Sequence, residues 1–155
     1  DFIPYTIIRD GPYGVGSVQE FIHHDTQQNY YTLNESHAET LRMIACFDLI
    51  ANNTDRKAAH MILDYEGKVW GIDQGLTFHS DTKIRTVIWD FGDEPIPDQH
   101  LDTLEAFQKQ LLEPSDKISR LLELLSLEEI NSLNKRLDWV LNERYYPGIP
   151  GRRRQ

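Results

Sequence analysis

Apolar residues change their spacing several times along this chain, and each change predicts a different element. Near the start, Tyr5-Thr6-Ile7-Ile8-Arg9 and Ser17-Val18-Gln19-Glu20-Phe21-Ile22 are short β-prone runs on either side of a glycine-rich stretch from Asp10 to Gly16, which predicts a hairpin. Further on, Met61-Ile62-Leu63 and Val69-Trp70-Gly71-Ile72 flank Asp64-Tyr65-Glu66-Gly67, whose polar and glycine residues suit a tight turn. A second, shorter hairpin is expected there. Between the two, Ser36-His37-Ala38-Glu39 has the capping-box pattern, and the run that follows through Ile50 is apolar nearly all round. Such a segment predicts a helix buried at the centre of its domain.

The last third of the chain switches to helical spacing. Pro97-Asp98 opens a helix with Leu101, Leu104, Gln108 and Leu111 on one side, and Ser115 opens another with Ile118, Leu121, Leu122 and Leu125. Ser126-Leu127-Glu128-Glu129 caps a further helix in which Ile130, Leu133, Leu137, Val140 and Leu141 recur at helical intervals. These stripes predict a core. The whole reads as an α+β domain, mostly helical, with no internal repeat and no convincing linker.

Candidate chemistry sits at the two ends of the second hairpin. Asn52-Asn53-Thr54-Asp55-Arg56-Lys57-Ala58-Ala59-His60 precedes it and Gly71-Ile72-Asp73-Gln74-Gly75 follows it. Antiparallel pairing returns the chain to its starting point, so Asp55 and Asp73, eighteen positions apart, are expected to become neighbours with His60 at the same end. Two carboxylates beside basic groups can hold a metal and a phosphate. A plainer reading makes the asparagines a helix stop, since their side chains satisfy local backbone groups. Asp48 lies in an otherwise apolar helix, where an unpaired charge is costly, and the loop around Arg56 is its expected partner.

Asn-x-Asp-Arg at a helix end, a hairpin, then Ile-Asp-x-Gly resembles the catalytic and metal-binding segments of the phosphatidylinositol 3-/4-kinase-like group, and more distantly the HipA-like and protein kinases. The text from Phe47-Asp48 through His79, with Arg85-Thr86-Val87-Ile88-Trp89, is similar to an actinobacterial group described as phosphatidylinositol-kinase-like. The resemblance implies the C-terminal lobe of a kinase-like fold over residues 25–146, preceded at 1–24 by a remnant hairpin and hinge of the smaller lobe and followed at 147–155 by a flexible tail. It implies ATP and Mg2+ or Mn2+ as cofactors, and phosphoryl transfer to a hydroxyl of a protein, lipid or small molecule, with adenylyl transfer conceivable. Asp55 would orient or deprotonate the acceptor, Arg56 and Lys57 would face the transferred phosphoryl group, and Asp73 would hold the metal. His60 stands where such kinases carry an asparagine for a second metal, and imidazole suits softer ions than magnesium. The backbone of Glu20, Phe21 and Ile22 would be the hinge that meets adenine. No lysine precedes Lys57, so the phosphate-binding lysine these families carry on an earlier strand is expected in a missing upstream lobe.

Composition narrows the setting. A chain of 155 residues with 39% hydrophobic content can bury a core without staples. Its single cysteine, Cys46, cannot form an internal disulfide, which favours a reducing, cytoplasmic setting. No apolar run is long enough to cross a bilayer. The net charge of -9 argues against nucleic acid or an anionic membrane as a broad-surface partner, with Arg152-Arg153-Arg154 as a local exception in a frayed tail.

Three features compete with this scheme. His23, His24, His60 and His79 could join Asp55 and Asp73 in a transition-metal site for phosphoester hydrolysis, although adjacent His23 and His24 on a strand point to opposite faces. A non-catalytic nucleotide-binding module is the other alternative, favoured by His60 and the absent lysine. Asp90-Phe91-Gly92 imitates the metal motif of protein kinases, but Asp73 already fills that role, so the string is expected to be a plain turn; nearby Lys83 and Arg85 could meet an acidic acceptor.

Overall fold

The computed structural model of the chain describes residues 1–33 and 35–149. Its first hairpin pairs β1 (Thr6–Gly11) with β2 (Gly14–Gln19), in a register that runs from Thr6 opposite Gln19 to Gly11 opposite Gly14. The turn is therefore the two residues Pro12-Tyr13, shorter than the glycine-rich stretch suggested. Gly14 takes φ +104°, which lets the chain reverse so sharply, and the other glycines are spent inside the ladder. Ile8, Tyr13 and Val15 stand exposed.

A 3-10 turn, Glu35–His37, leads into α1 (Ala38–Ala51). The expected capping box at Ser36 does not form: this turn moves the helix start to His37, whose side chain makes no cap bond. Central burial of α1 holds, with Leu41, Ile44, Ala45, Cys46, Leu49 and Ile50 in the core. Burial pushes the Cys46 thiol up to about 12, so it is packing rather than a nucleophile.

Three helices follow the second hairpin: α2 (Asp98–Leu112), α3 (Asp116–Leu124) and α4 (Leu127–Glu143). Leu133, Leu137 and Val140 place α4 in the core, where it packs on α1 and α2. The box at its start forms as read: Ser126 Oγ accepts from Glu129 N–H at 3.2 Å, and Glu129 Oε2 accepts from Ser126 N–H at 2.8 Å. The stripe on α3 is a weaker core element than its spacing promised, because none of its residues is buried.

The second hairpin pairs β3 (Met61–Leu63) with β4 (Val69–Gly71), Met61 opposite Gly71 and Leu63 opposite Val69. Asp64 organises its turn by accepting from the Glu66 and Lys68 N–H groups and from Trp70 Nε1, each at 2.9 Å. Residues after the first hairpin reach the same end, with His24 bridged to Asp64 and Asp25 N–H donating to the Leu63 carbonyl at 3.0 Å. Pro147 and Gly148, expected to begin a tail, instead close against Gly92, and Gly148 lies on the Asp93 carboxylate. The arginine run falls outside the described residues. No described helix is long and apolar enough to cross a membrane. The architecture is α+β.

Candidate functional site

The loop after α1 is built from buried polar side chains. Asn52 ends the helix in the left-handed conformation at φ 53°, so the helix-stop reading is correct. Its amide also ties down a distant strap, donating to the His79 and Asp81 carbonyls and accepting from Lys83 N–H at 3.0 Å. Asn53 donates to Asp48 Oδ1 at 3.0 Å and accepts from Asp55 N–H at 3.0 Å, which fixes the backbone of the candidate catalytic residue. Asn52 and Asn53 thus have structural roles that a motif reading passes over. The clue was available: two amides directly after an apolar helix have to satisfy its end groups.

Arg56 departs from its expected role. Its side chain is 0% exposed and its ion pair with Asp48, 1% exposed, is closed at 2.9 Å through Nη2. Nε also reaches both Asp48 oxygens, and Nη1 donates to the Ile72 carbonyl at 2.9 Å. No charge remains to face a phosphoryl group, so Arg56 is a positioning residue that joins α1 to the start of the second motif. The expectation that Asp48 meets the loop around Arg56 is correct. Burial pushes the Asp48 carboxyl up, opposed by Arg56, Asn53 and Thr86. Backbone bonds from Arg56 N–H to the Arg85 carbonyl and from Val87 N–H to the Arg56 carbonyl lace residues 85–87 beside the loop. Arg85 itself is exposed, and Lys83 pairs with Asp81 at 3.6 Å.

Asp55, Lys57, His60 and Asp73 remain at the open end of the hairpin. Lys57 Nζ lies 3.0 Å from Asp55 Oδ2, with both side chains reaching solvent. His60 Nδ1 accepts from Lys57 N–H at 3.2 Å, so the ring proton of the neutral imidazole sits on Nε2, which lies 3.3 Å from Asp73 Oδ2. Burial pushes the imidazole below its ordinary 6.5, while the carboxylates of Asp73 and, more weakly, Asp55 pull it back up. Both acidic groups therefore act on one ring. A metal on Nε2 would displace that proton to Nδ1, which already faces a backbone N–H, so this geometry argues against the expected ligand role of His60 and leaves the ring as a close electrostatic neighbour of Asp73. Asp73 holds φ 57°, a conformation uncommon for a side-chain-bearing residue, and its side chain is 59% exposed. Among the described residues its polar partner is His60.

The remaining candidates lie apart from this end. Glu20 N–H extends the first hairpin by donating to the Tyr5 carbonyl at 2.8 Å, Phe21 is exposed with its ring edge-on to His23, and the Ile22 carbonyl accepts from His24 Nδ1 at 2.7 Å. His79 Nδ1 accepts from Asp81 N–H at 2.9 Å. No group of three His, Cys, Asp or Glu side chains among the described residues is placed to hold a metal, so the hydrolase cluster does not assemble. Asp90-Phe91-Gly92 is a structural turn: Tyr30 donates to Asp90, Phe91 is buried under the Arg42 guanidinium, and Gly92 N–H closes onto the Trp89 carbonyl. Cavities of about 690 and 620 Å3 open elsewhere, and neither is lined by Asp55, His60 or Asp73.

The chain is similar to Protein Rv2133c of Mycobacterium tuberculosis, 29% identical over 188 aligned residues that take in 99% of this chain and 67% of that protein. No protein-family model matches the chain, and no solved structure matches it significantly.

Proposed function

We propose that this chain carries the catalytic end of a kinase-like phosphotransferase that uses ATP and a divalent metal. The observation that carries the reading is the approach of Asp73 to the His60 ring, 3.3 Å apart at the open end of a hairpin, with the Asp55–Lys57 ion pair on the loop that leads into it. With His60 Nδ1 occupied by the Lys57 N–H and its proton on Nε2, the side-chain groups left to hold a metal at this end are carboxylates, a set that suits Mg2+, which commonly takes one or two carboxylates plus substrate phosphates. Asp73 would hold that ion, which when bound neutralises charge on the β- and γ-phosphates. Asp55 takes the proton of the acceptor hydroxyl as its oxygen bonds to the γ-phosphorus and the bond to the bridging oxygen of ADP breaks. Lys57 supplies positive charge to the transferred group. The hinge reading of residues 20–22 fits the spacing: His24 meets the hairpin at Asp64, four residues from His60, or roughly 13 Å along a strand. That is on the scale of an extended nucleotide.

A non-catalytic nucleotide-binding module is the second reading, favoured by the Asp55–Lys57 ion pair, which occupies the base. Thermal denaturation with ATP and Mg2+ tests both. Nucleotide at about 100 times its Kd adds about 2.7 kcal/mol of stability, and Asp73→Asn is expected to abolish the resulting rise in Tm. An unchanged rise in Asp73→Asn overturns the site. Asp55→Ala is expected to retain the rise and lose labelled phosphoryl transfer; a wild type that binds without transferring supports the second reading.

A further inference from the structure

The fold buries two arginines with opposite surroundings. Arg56 has the Asp48 carboxylate. Arg136, on α4 and only 6% exposed, has no anion among the described residues: Nε donates to the Ile50 carbonyl at 2.8 Å, Nη1 reaches the His79 carbonyl at 3.4 Å, and Nη2 has no acceptor. A guanidinium held away from water by carbonyl oxygens alone keeps an uncompensated charge, which a protein stabilises poorly unless an anion arrives.

Arg136 also lines the cavity of about 690 Å3 between α4 and the strap of residues 80–89. Apolar surface dominates its walls, chiefly Leu49, Ile84, Trp89 and Trp139. Lys135 adds a second positive charge, and the Asp81 carboxylate on the wall is paired with Lys83 at 3.6 Å. The cavity is thus cationic in a chain whose net charge is -9. Its volume is in the range of sites for drug-sized molecules, which combine apolar walls with a few polar groups that fix orientation.

We infer that this cavity binds a small, flat, apolar carboxylate, its ring between Trp89 and Trp139 and its anionic end toward Arg136 and Lys135. The site is separate from the hairpin end that bears Asp55 and Asp73 and stands or falls independently of the phosphotransferase reading.

Calorimetric titration of the full chain with 2-naphthoate and with its neutral counterpart 2-naphthalenemethanol tests the inference. Naphthoate is expected to bind about tenfold tighter than the alcohol, the size of effect a hydrogen bond to a charged group gives. Lys135→Glu, an exposed change that leaves folding intact, is expected to erase most of that preference, and Trp139→Ala to weaken both compounds. Because Arg136 variants risk misfolding, the site is located instead by the indole N–H resonances, with Trp89 and Trp139 shifting and Trp70 unmoved. Equal affinity for acid and alcohol, no saturable binding, or shifts centred on Trp70 overturn the inference.

Discussion

Replacing Asp48 by leucine leaves the Arg56 guanidinium fully buried with no anion, and the structure sets the scale of the damage. Arg56 reaches the carboxylate through both Nε and Nη2, and Asn53 adds a further bond, so four donor contacts of 2.9–3.2 Å vanish together. Removing one partner of such a pair costs about 3–5 kcal/mol, or a fall in Tm of roughly 6–20 °C for a domain of this size. Arg56→Met should cost a similar amount, since it strands Asp48 and also frees the Ile72 carbonyl. The double variant Asp48→Leu/Arg56→Met removes both charges and is expected to lose far less than the sum, leaving a coupling of at least about 2 kcal/mol. Urea denaturation followed by circular dichroism measures all four proteins. Single costs that add to within about 0.5 kcal/mol would refute the claim that this pair is the keystone of the loop.

Two further outcomes follow from burial. Burial lowers the pKa of His60 and of His100 from 6.5, with Asp73 and Glu39 respectively opposing, so on acidification the unfolded chain takes up protons before the folded one does. Stability should therefore fall as pH drops below about 6.5, and His100→Phe should flatten part of that decline in urea titrations from pH 7 to 5; a slope identical to wild type sinks the assignment. At Gly71 an added Cβ would lie 2.9 Å from Phe2 Cδ2, so Gly71→Ala is expected to lose about 1–3 kcal/mol, measured as a shift in urea midpoint, and to lose less in a Phe2→Leu background. A neutral Gly71→Ala contradicts the tight contact.

Elements whose signal is local were legible in the sequence. The β3–β4 hairpin, the α4 cap and the apolar stripes of α1 and α4 follow from spacing and turn chemistry alone, and the return of Asp73 to His60 follows from the hairpin. Non-local decisions were not legible. Arg56 carries the same charge whether it faces a phosphate or Asp48, and only packing shows that its side chain turns inward. The role of His60 depends on a backbone N–H three residues earlier occupying one ring nitrogen, a detail no composition encodes. Arg136 sits within an amphipathic helix whose spacing gives no hint that a cation lines a cavity. On α3 the apolar positions recur as they should, but periodicity describes a face and not what covers it.

The arrangement around Arg56 explains how so short a hairpin can hold the two carboxylates of the proposed site in register. Asp55 follows α1 through Asn53, while Asp73 follows β4 through Ile72, so the two carboxylates ride on different elements. Arg56 joins them: one edge of its guanidinium is fixed to α1 through Asp48, and the other holds the Ile72 carbonyl directly before Asp73. Because the guanidinium is planar, the two anchors cannot rotate independently. Displacement of either element must therefore break a buried charge-assisted bond rather than an exposed one. Precision at the exposed end is set by groups that never reach solvent, so if the proposed nucleotide site is correct, a change at Asp48 should register in nucleotide binding although Asp48 is itself buried.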